Sequence, residues 1–219
     1  MNNAEVHRRT LLSAAAAVSL SAVGLLVHRS GGESATIDTS AIAAQARAGD
    51  VLFRGTRSVE GNVVRWFDGV SDYTHAGVLV RHPAEPVWGV VHASSDTRRV
   101  TLDRLDTFTS VDGIAAAGLY RWRGASPAAQ QTLQADAIST VGRPFDGAFD
   151  AAETTRLYCT ELIWMLAQSG GWAGEPVLKP ISTPLGGLRV ITIESLLRDL
   201  PLQRVWHSGL SQPSNPLPV

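Results

Sequence analysis

Leu157-Tyr158-Cys159-Thr160-Glu161-Leu162-Ile163-Trp164-Met165-Leu166-Ala167-Gln168 is the stretch on which the fold of this chain turns. The spacing predicts an amphipathic helix over Tyr158–Gln168, with Leu162, Ile163 and Leu166 on one face and Gly170-Gly171 ending it. Cys159, the chain's only cysteine, falls in the first turn. The positive end of a helix dipole favours a thiolate, and such a position beside a basic group can lower a cysteine from about 8.5 to roughly 3.5–7.5. A buried structural cysteine fits the same position, because free cysteine packs as a small apolar side chain. Glu161 is expected to accept from free N–H groups of that first turn.

Upstream, the chain reads as strands. Gly49–Arg54 follows a glycine turn, Thr74–Arg81 and Val87–Ala93 flank a proline-containing turn and form a hairpin, and Val100–Leu102 and Leu119–Arg123 add further strands. Val59–Phe67 reads as a helix with Val63, Val64 and Phe67 on one face. Ser126-Pro127 opens another helix that closes near Gly142, Thr192–Asp199 is a short capped helix, and Leu202–Trp206 is a last strand. The class is α+β, with an antiparallel sheet packed on helices.

His75 and His92 lie in or at the end of apolar strands, unlike the chain's other histidines. If Val80 opposes Val87, then His75 opposes His92, and directly opposed side chains share a face about 4.5–5.5 Å apart at Cβ. A thiolate needs a base and a group that orients the base, and two adjacent imidazoles supply both. A satisfied pair of strand histidines is the alternative. A zinc site of Cys159, His75 and His92, with Asp72 or Asp96 as fourth ligand, is a third reading, though it lacks the tight local ligand pair that zinc sites usually show. Gly77, small and next to His75 on its face, is expected to leave room for a substrate chain.

Composition narrows the function. The 219 residues are 44 % hydrophobic, enough for a core, and the net charge of −1 argues against a nucleic-acid module. One cysteine excludes an intrachain disulfide framework. Residues 1–32 read as an export signal or signal anchor: Arg8-Arg9 precede an uncharged run, Leu11–Val27, followed by His28-Arg29. The run is at the short edge of the roughly 17–25 residues that span a bilayer. His7-Arg8-Arg9-Thr10-Leu11-Leu12 resembles a twin-arginine signal, and an ordinary secretory signal fits as well. Residues 33–47 read as a tether ending in a short helix, 48–208 as the domain and 209–219 as a tail.

Taken in order, Gly49-Asp50-Val51-Leu52-Phe53, Tyr73-Thr74-His75-Ala76-Gly77-Val78, Val90-Val91-His92-Ala93, Gly142-Arg143-Pro144-Phe145-Asp146 and Tyr158-Cys159-Thr160-Glu161-Leu162 resemble the circularly permuted papain-like hydrolases of the YiiX/YaeF-like type. These are relatives of the NlpC-type cell-wall peptidases and the lecithin:retinol acyltransferases. The resemblance covers roughly Gly49 to Leu166 and implies a permuted papain-like fold with the nucleophile at a helix N-terminus. It implies Cys159 as nucleophile, His75 as base and His92 as orienter, with neither a metal nor an organic cofactor required. Many relatives carry Glu where this chain has His92, so the third role is where the chain departs from its kin. Tyr73 is expected as a second oxyanion donor, and Asp146 as a loop-shaping residue. The substrate implied is a peptide of the cell envelope, or else an acyl lipid. A non-catalytic envelope-binding domain on the same fold is the remaining alternative. The expected location is exported, periplasmic or cell-envelope, with membrane association through residues 11–27.

Overall fold

The computed structural model describes residues 37–57, 72–149, 151, 153, 155–183 and 186–209. The export segment, the helix expected over Val59–Phe67 and residues 210–219 of the tail lie outside the described residues. In chain order the elements are α1 (Thr39–Gln45), β1 (Val51–Thr56), β2 (His75–Arg81), β3 (Trp88–Ser94), β4 (Arg99–Arg104), α2 (Leu105–Thr109), β5 (Ile114–Trp122), α3 (Pro127–Ser139), α4 (Cys159–Ser169), β6 (Lys179–Thr183), β7 (Gly186–Val190), α5 (Ile193–Asp199) and β8 (Leu202–Gly209). Six strands form one antiparallel sheet in the order β4-β3-β2-β1-β5-β8, and β6 and β7 form a separate hairpin.

The central strands are apolar on both faces because both faces are covered, so they read as near-continuous hydrophobic runs. On one face Val51, Phe53, Ala76, Val78, Val80 and Val91 pack with Leu133 of α3, Leu162, Ile163 and Leu166 of α4, and Leu196 of α5. On the other, Leu52, Leu79, Val90 and Leu119 meet Ile42 of α1 and Leu105 and Phe108 of α2. Ile37 and Ile42 are buried in this second core. The stretch 37–47, expected as a tether, is therefore part of the packed domain: its Ala/Ser/Thr composition hid two isoleucines that have an apolar surface to cover.

Helix ends follow their sequence signals. Ser126 Oγ accepts from Ala129 N at 3.2 Å with Pro127 opening α3. Glu161 Oε2 accepts from Tyr158 N at 3.0 Å at the head of α4, the expected role. At its other end Trp172 N donates to Ala167 O and Gly171, at φ +74°, donates to Gln168 O, a Schellman closure that calls for glycine. The Gly49-Asp50 turn is also structural. Asp50 is buried, accepts from Arg121 Nε and Nη2 at 2.9 and 2.7 Å and from Arg47 N at 2.8 Å, and so ties the entry of β1 to β5. Among the described residues no helix is long and apolar enough to cross a membrane.

The hairpin register departs from the expected one by two residues. Val80 opposes Gly89 and Val78 opposes Val91, and the turn is entered by Arg81 opposite Trp88. Because side chains alternate with period 2, a two-residue slip keeps every residue on its face. His75 and His92 are therefore diagonal rather than directly opposed, and Gly77 stands across from His92.

Candidate active site

Each functional side chain is placed by an element with its own reason to be there. His75 opens β2, at the end of the strand, and Arg54 of β1 is its cross-strand partner. His92 lies inside β3 and is buried. Asp103 lies near the end of β4, where Val100 and Leu102 turn to the helix-covered face and Thr101 and Asp103 to the other. Cys159 is the first helical residue of α4, whose head is held down by Thr160 Oγ1 donating to Ile191 O at 2.7 Å.

These positions give a continuous polar chain. His75 Nε2 and His92 Nδ1 are 2.9 Å apart, and His92 Nε2 is 2.9 Å from Asp103 Oδ2. Asp103 is held below the usual carboxylate range, first by the hydrogen bond from His92, and so is ionised at neutral pH. An ionised carboxylate only accepts, so His92 Nε2 carries the proton. His92 Nδ1 is then the lone-pair nitrogen and accepts from His75 Nε2–H. That leaves His75 Nδ1 as a free lone pair, the tautomer a general base requires. Phe108 lies against both rings, with centroids 5.7 Å from His75 and 5.0 Å from His92, and limits their rotation.

The thiol of Cys159 meets the main chain of Ala76, the residue after His75, and main-chain groups of Thr160 and Cys159 itself also bond to it. Helix α4 packs on the Ala76 face while His75 projects from the other. The sulfur thus lies against the main chain of β2 one residue from His75.

The electrostatics differ from the expectation of a lowered thiol. Burial outweighs the main-chain donors and Arg54, and the Cys159 thiol is pushed up to about 11, although the residue keeps some exposed area. Burial, then the charge of Arg54, hold His75 well below its ordinary value. The resting pair is a neutral thiol and a neutral imidazole.

Other expected residues resolve differently. A Cβ on Gly77 would meet Val90 Cγ1 at 2.5 Å and His92 Cβ at 3.0 Å. Gly77 thus admits the histidine side chain and leaves no substrate channel. Tyr73 is a core residue stacked on Phe53; its hydroxyl lies against Gly118 and bonds Tyr120, which accounts for it without an oxyanion role. Asp146 is buried and accepts from Ala148 N at 2.9 Å, shaping the loop before Leu157 as expected. Two residues of the site were missed, Asp103 and Arg54. The signal for both was strand alternation: Thr101/Asp103 share the His92 face of their strand, and Leu52/Arg54 the His75 face of theirs.

A family model for permuted papain-like amidases of the YaeF/YiiX type matches residues 45–177, more than half of the chain. The chain belongs to this family, C92. It is accordingly an enzyme of the cysteine peptidase/amidase class. No curated protein sequence matches it. Among solved structures, the crystal structure of metalloprotein yiiX from Escherichia coli O157:H7 is similar, with a TM-score of 0.61 at 23 % identity, over 76 % of this chain and 99 % of that one. At that identity the likeness shows the fold, an α+β permuted papain-like one. The donor set of this C92 member does not fit a metal: both ring nitrogens of His92 are engaged, and among the described residues no group of three or more His, Cys, Asp or Glu side chains is placed to hold an ion.

Proposed function

We propose that this C92 amidase is an exported thiol hydrolase that cleaves an amide bond in cell-envelope peptides through Cys159, His75, His92 and Asp103. The observation that carries the reading is the unbroken chain Asp103–His92–His75, with the sulfur of Cys159 held against the strand that bears His75.

The neutral resting pair sets the order of events. Substrate binding brings a carbonyl to the sulfur. His75 Nδ1 takes the thiol proton as Sγ attacks the carbonyl carbon, so charge separation develops only in the transition state. The new imidazolium donates through Nε2 to His92, whose far nitrogen is held by the Asp103 carboxylate, and Asp103 need not become protonated. The oxyanion lies where the first N–H groups of α4, at Cys159 and Thr160, lack helical acceptors. His75 then protonates the leaving amine. Water, deprotonated by the same imidazole, resolves the thioester.

Support for the envelope and for export comes from the Arg8-Arg9 and Leu11–Val27 pattern of the first residues and from the family's amidase class. The test is product analysis of the purified full chain on muropeptides and, in parallel, on acyl lipids. Release of a new amine from a muropeptide, absent in Cys159→Ala, supports the reading. Release of fatty acid alone would replace it with acyl-lipid hydrolysis.

A further inference from the structure

Arg54 is a half-buried cation in the site that the hydrolytic steps leave unused. Its Nη1 donates to Phe108 O at 2.6 Å, and its guanidinium carbon lies 4.4 Å from the centre of the Phe108 ring, which fixes the plane of the fork. Its backbone stands opposite His75 in the β1–β2 ladder. The charge is near enough to Cys159, His75 and Asp103 to act on each. Yet Nε is buried with no acceptor among the described residues. A buried unmatched donor on a charged group is costly, and a native site that keeps one has a use for it.

We propose that Arg54 is a substrate-binding residue that selects acyl substrates carrying a carboxylate close to the scissile bond. A guanidinium held in a plane and only partly covered matches a carboxylate in shape and charge. The charge balance favours a monoanion. Asp103 and Arg54 already balance each other, so a carboxylate leaves one net negative charge in the site where a phosphate dianion would leave two. The proposal rests on Cys159 as the nucleophile and names the kind of molecule that nucleophile meets.

The test uses the full chain and needs no identified substrate. Because Cys159 is the only cysteine, the mass gained on alkylation reports that residue alone. Rates are measured with iodoacetate, an anion, and iodoacetamide, its neutral counterpart, and their ratio is compared with that of free cysteine. The wild-type ratio is expected at least about tenfold above that of free cysteine, the scale of one charge-assisted hydrogen bond. Arg54→Gln should return the ratio to that of free cysteine, because any loss of thiolate slows both reagents alike and cancels in the ratio, and Arg54→Lys should fall between. A wild-type ratio at or below that of free cysteine, or one unchanged in Arg54→Gln, overturns the proposal. If Arg54→Gln does not fold, protection of the wild type decides: N-acetylglycine should slow iodoacetamide and N-acetylglycinamide should not, and equal effects overturn it. Amide turnover is a separate axis. A protein with the raised ratio and no amidase activity keeps Arg54 and loses the hydrolase reading; one that cleaves neutral and anionic amides alike keeps the hydrolase and loses Arg54.

Discussion

His92 stands diagonal to His75 across the β2–β3 ladder, two residues from direct opposition, and their ring nitrogens still meet at 2.9 Å. The diagonal leaves Gly77 facing His92, where no Cβ fits. It also points the far nitrogen of His92 at Asp103, on the next strand out. The register thus serves three contacts at once: ring to ring, ring to glycine and ring to carboxylate.

The nucleophile can be isolated first. Cys159→Ala is expected to remove amide hydrolysis while leaving the fold intact, since the side chain is small and its replacement smaller. Turnover should fall by at least about a thousandfold, as for other enzymes that lose a nucleophile. Circular dichroism and the melting temperature, measured alongside, should match the wild type within a few degrees.

Asp103→Asn tests the tautomer. An amide at that position can donate to His92 Nε2, which would move the imidazole proton to Nδ1 and reverse the chain of donors to His75. Turnover is expected to fall roughly 10²-fold or more, as when the carboxylate of a catalytic triad becomes an amide. His92→Ala should also cut turnover strongly, by less than Cys159→Ala. Full activity in either variant would leave only a Cys–His pair.

The pH dependence of stability has a definite sign. The unfolded His75 ring titrates near 6.5, and the folded one well below it. Between those values the unfolded chain binds a proton that the folded chain does not. This contribution is therefore complete above about pH 6.5 and is lost as the pH falls below it. Asp103, also held low, adds a loss only in stronger acid, as the pH falls below the ordinary 3.8 towards its folded value. Urea midpoints should decline from pH 7.5 to pH 5, and His75→Gln should flatten that slope.

Thiol reactivity should track the raised Cys159 value. Iodoacetamide labelling of the free enzyme is expected to keep rising with pH towards about 11 instead of levelling off near neutrality. A plateau below pH 8 would mean a preformed thiolate–imidazolium pair. The same shift predicts that stability falls as pH rises from about 9, where the unfolded thiol titrates, towards 11.

Gly77→Ala should cost about 1–3 kcal/mol through overpacking. The new methyl would meet Val90 Cγ1 at 2.5 Å and Val91 O at 3.0 Å, besides His92 Cβ. Moving His92 breaks the link to His75, so activity is expected to fall further than stability. Chemical denaturation and turnover, measured on one preparation, separate the two effects.

The sequence alone showed most strands and the three helices with the clearest end signals and marked Cys159 as the candidate nucleophile, while the helix Leu105–Thr109 and the β6–β7 hairpin went unmarked. Capping signals are local, so Ser126-Pro127, Glu161 and Gly170-Gly171 marked helix ends that the structure shares. Strand alternation put His75 and His92 on one face whatever the even register, because the side-chain period is two. Tertiary structure decided what depends on distance along the chain. Which residue of β3 faces which of β2 was set by the turn and by crowding at Gly77, neither visible as a pattern. Asp103 entered the site because β4 is the next strand out, and Arg54 because β1 is the strand on the other side. The charge state of Cys159 followed the same rule: the helix start favours a thiolate locally, and the packed surroundings, made by distant segments, reversed it.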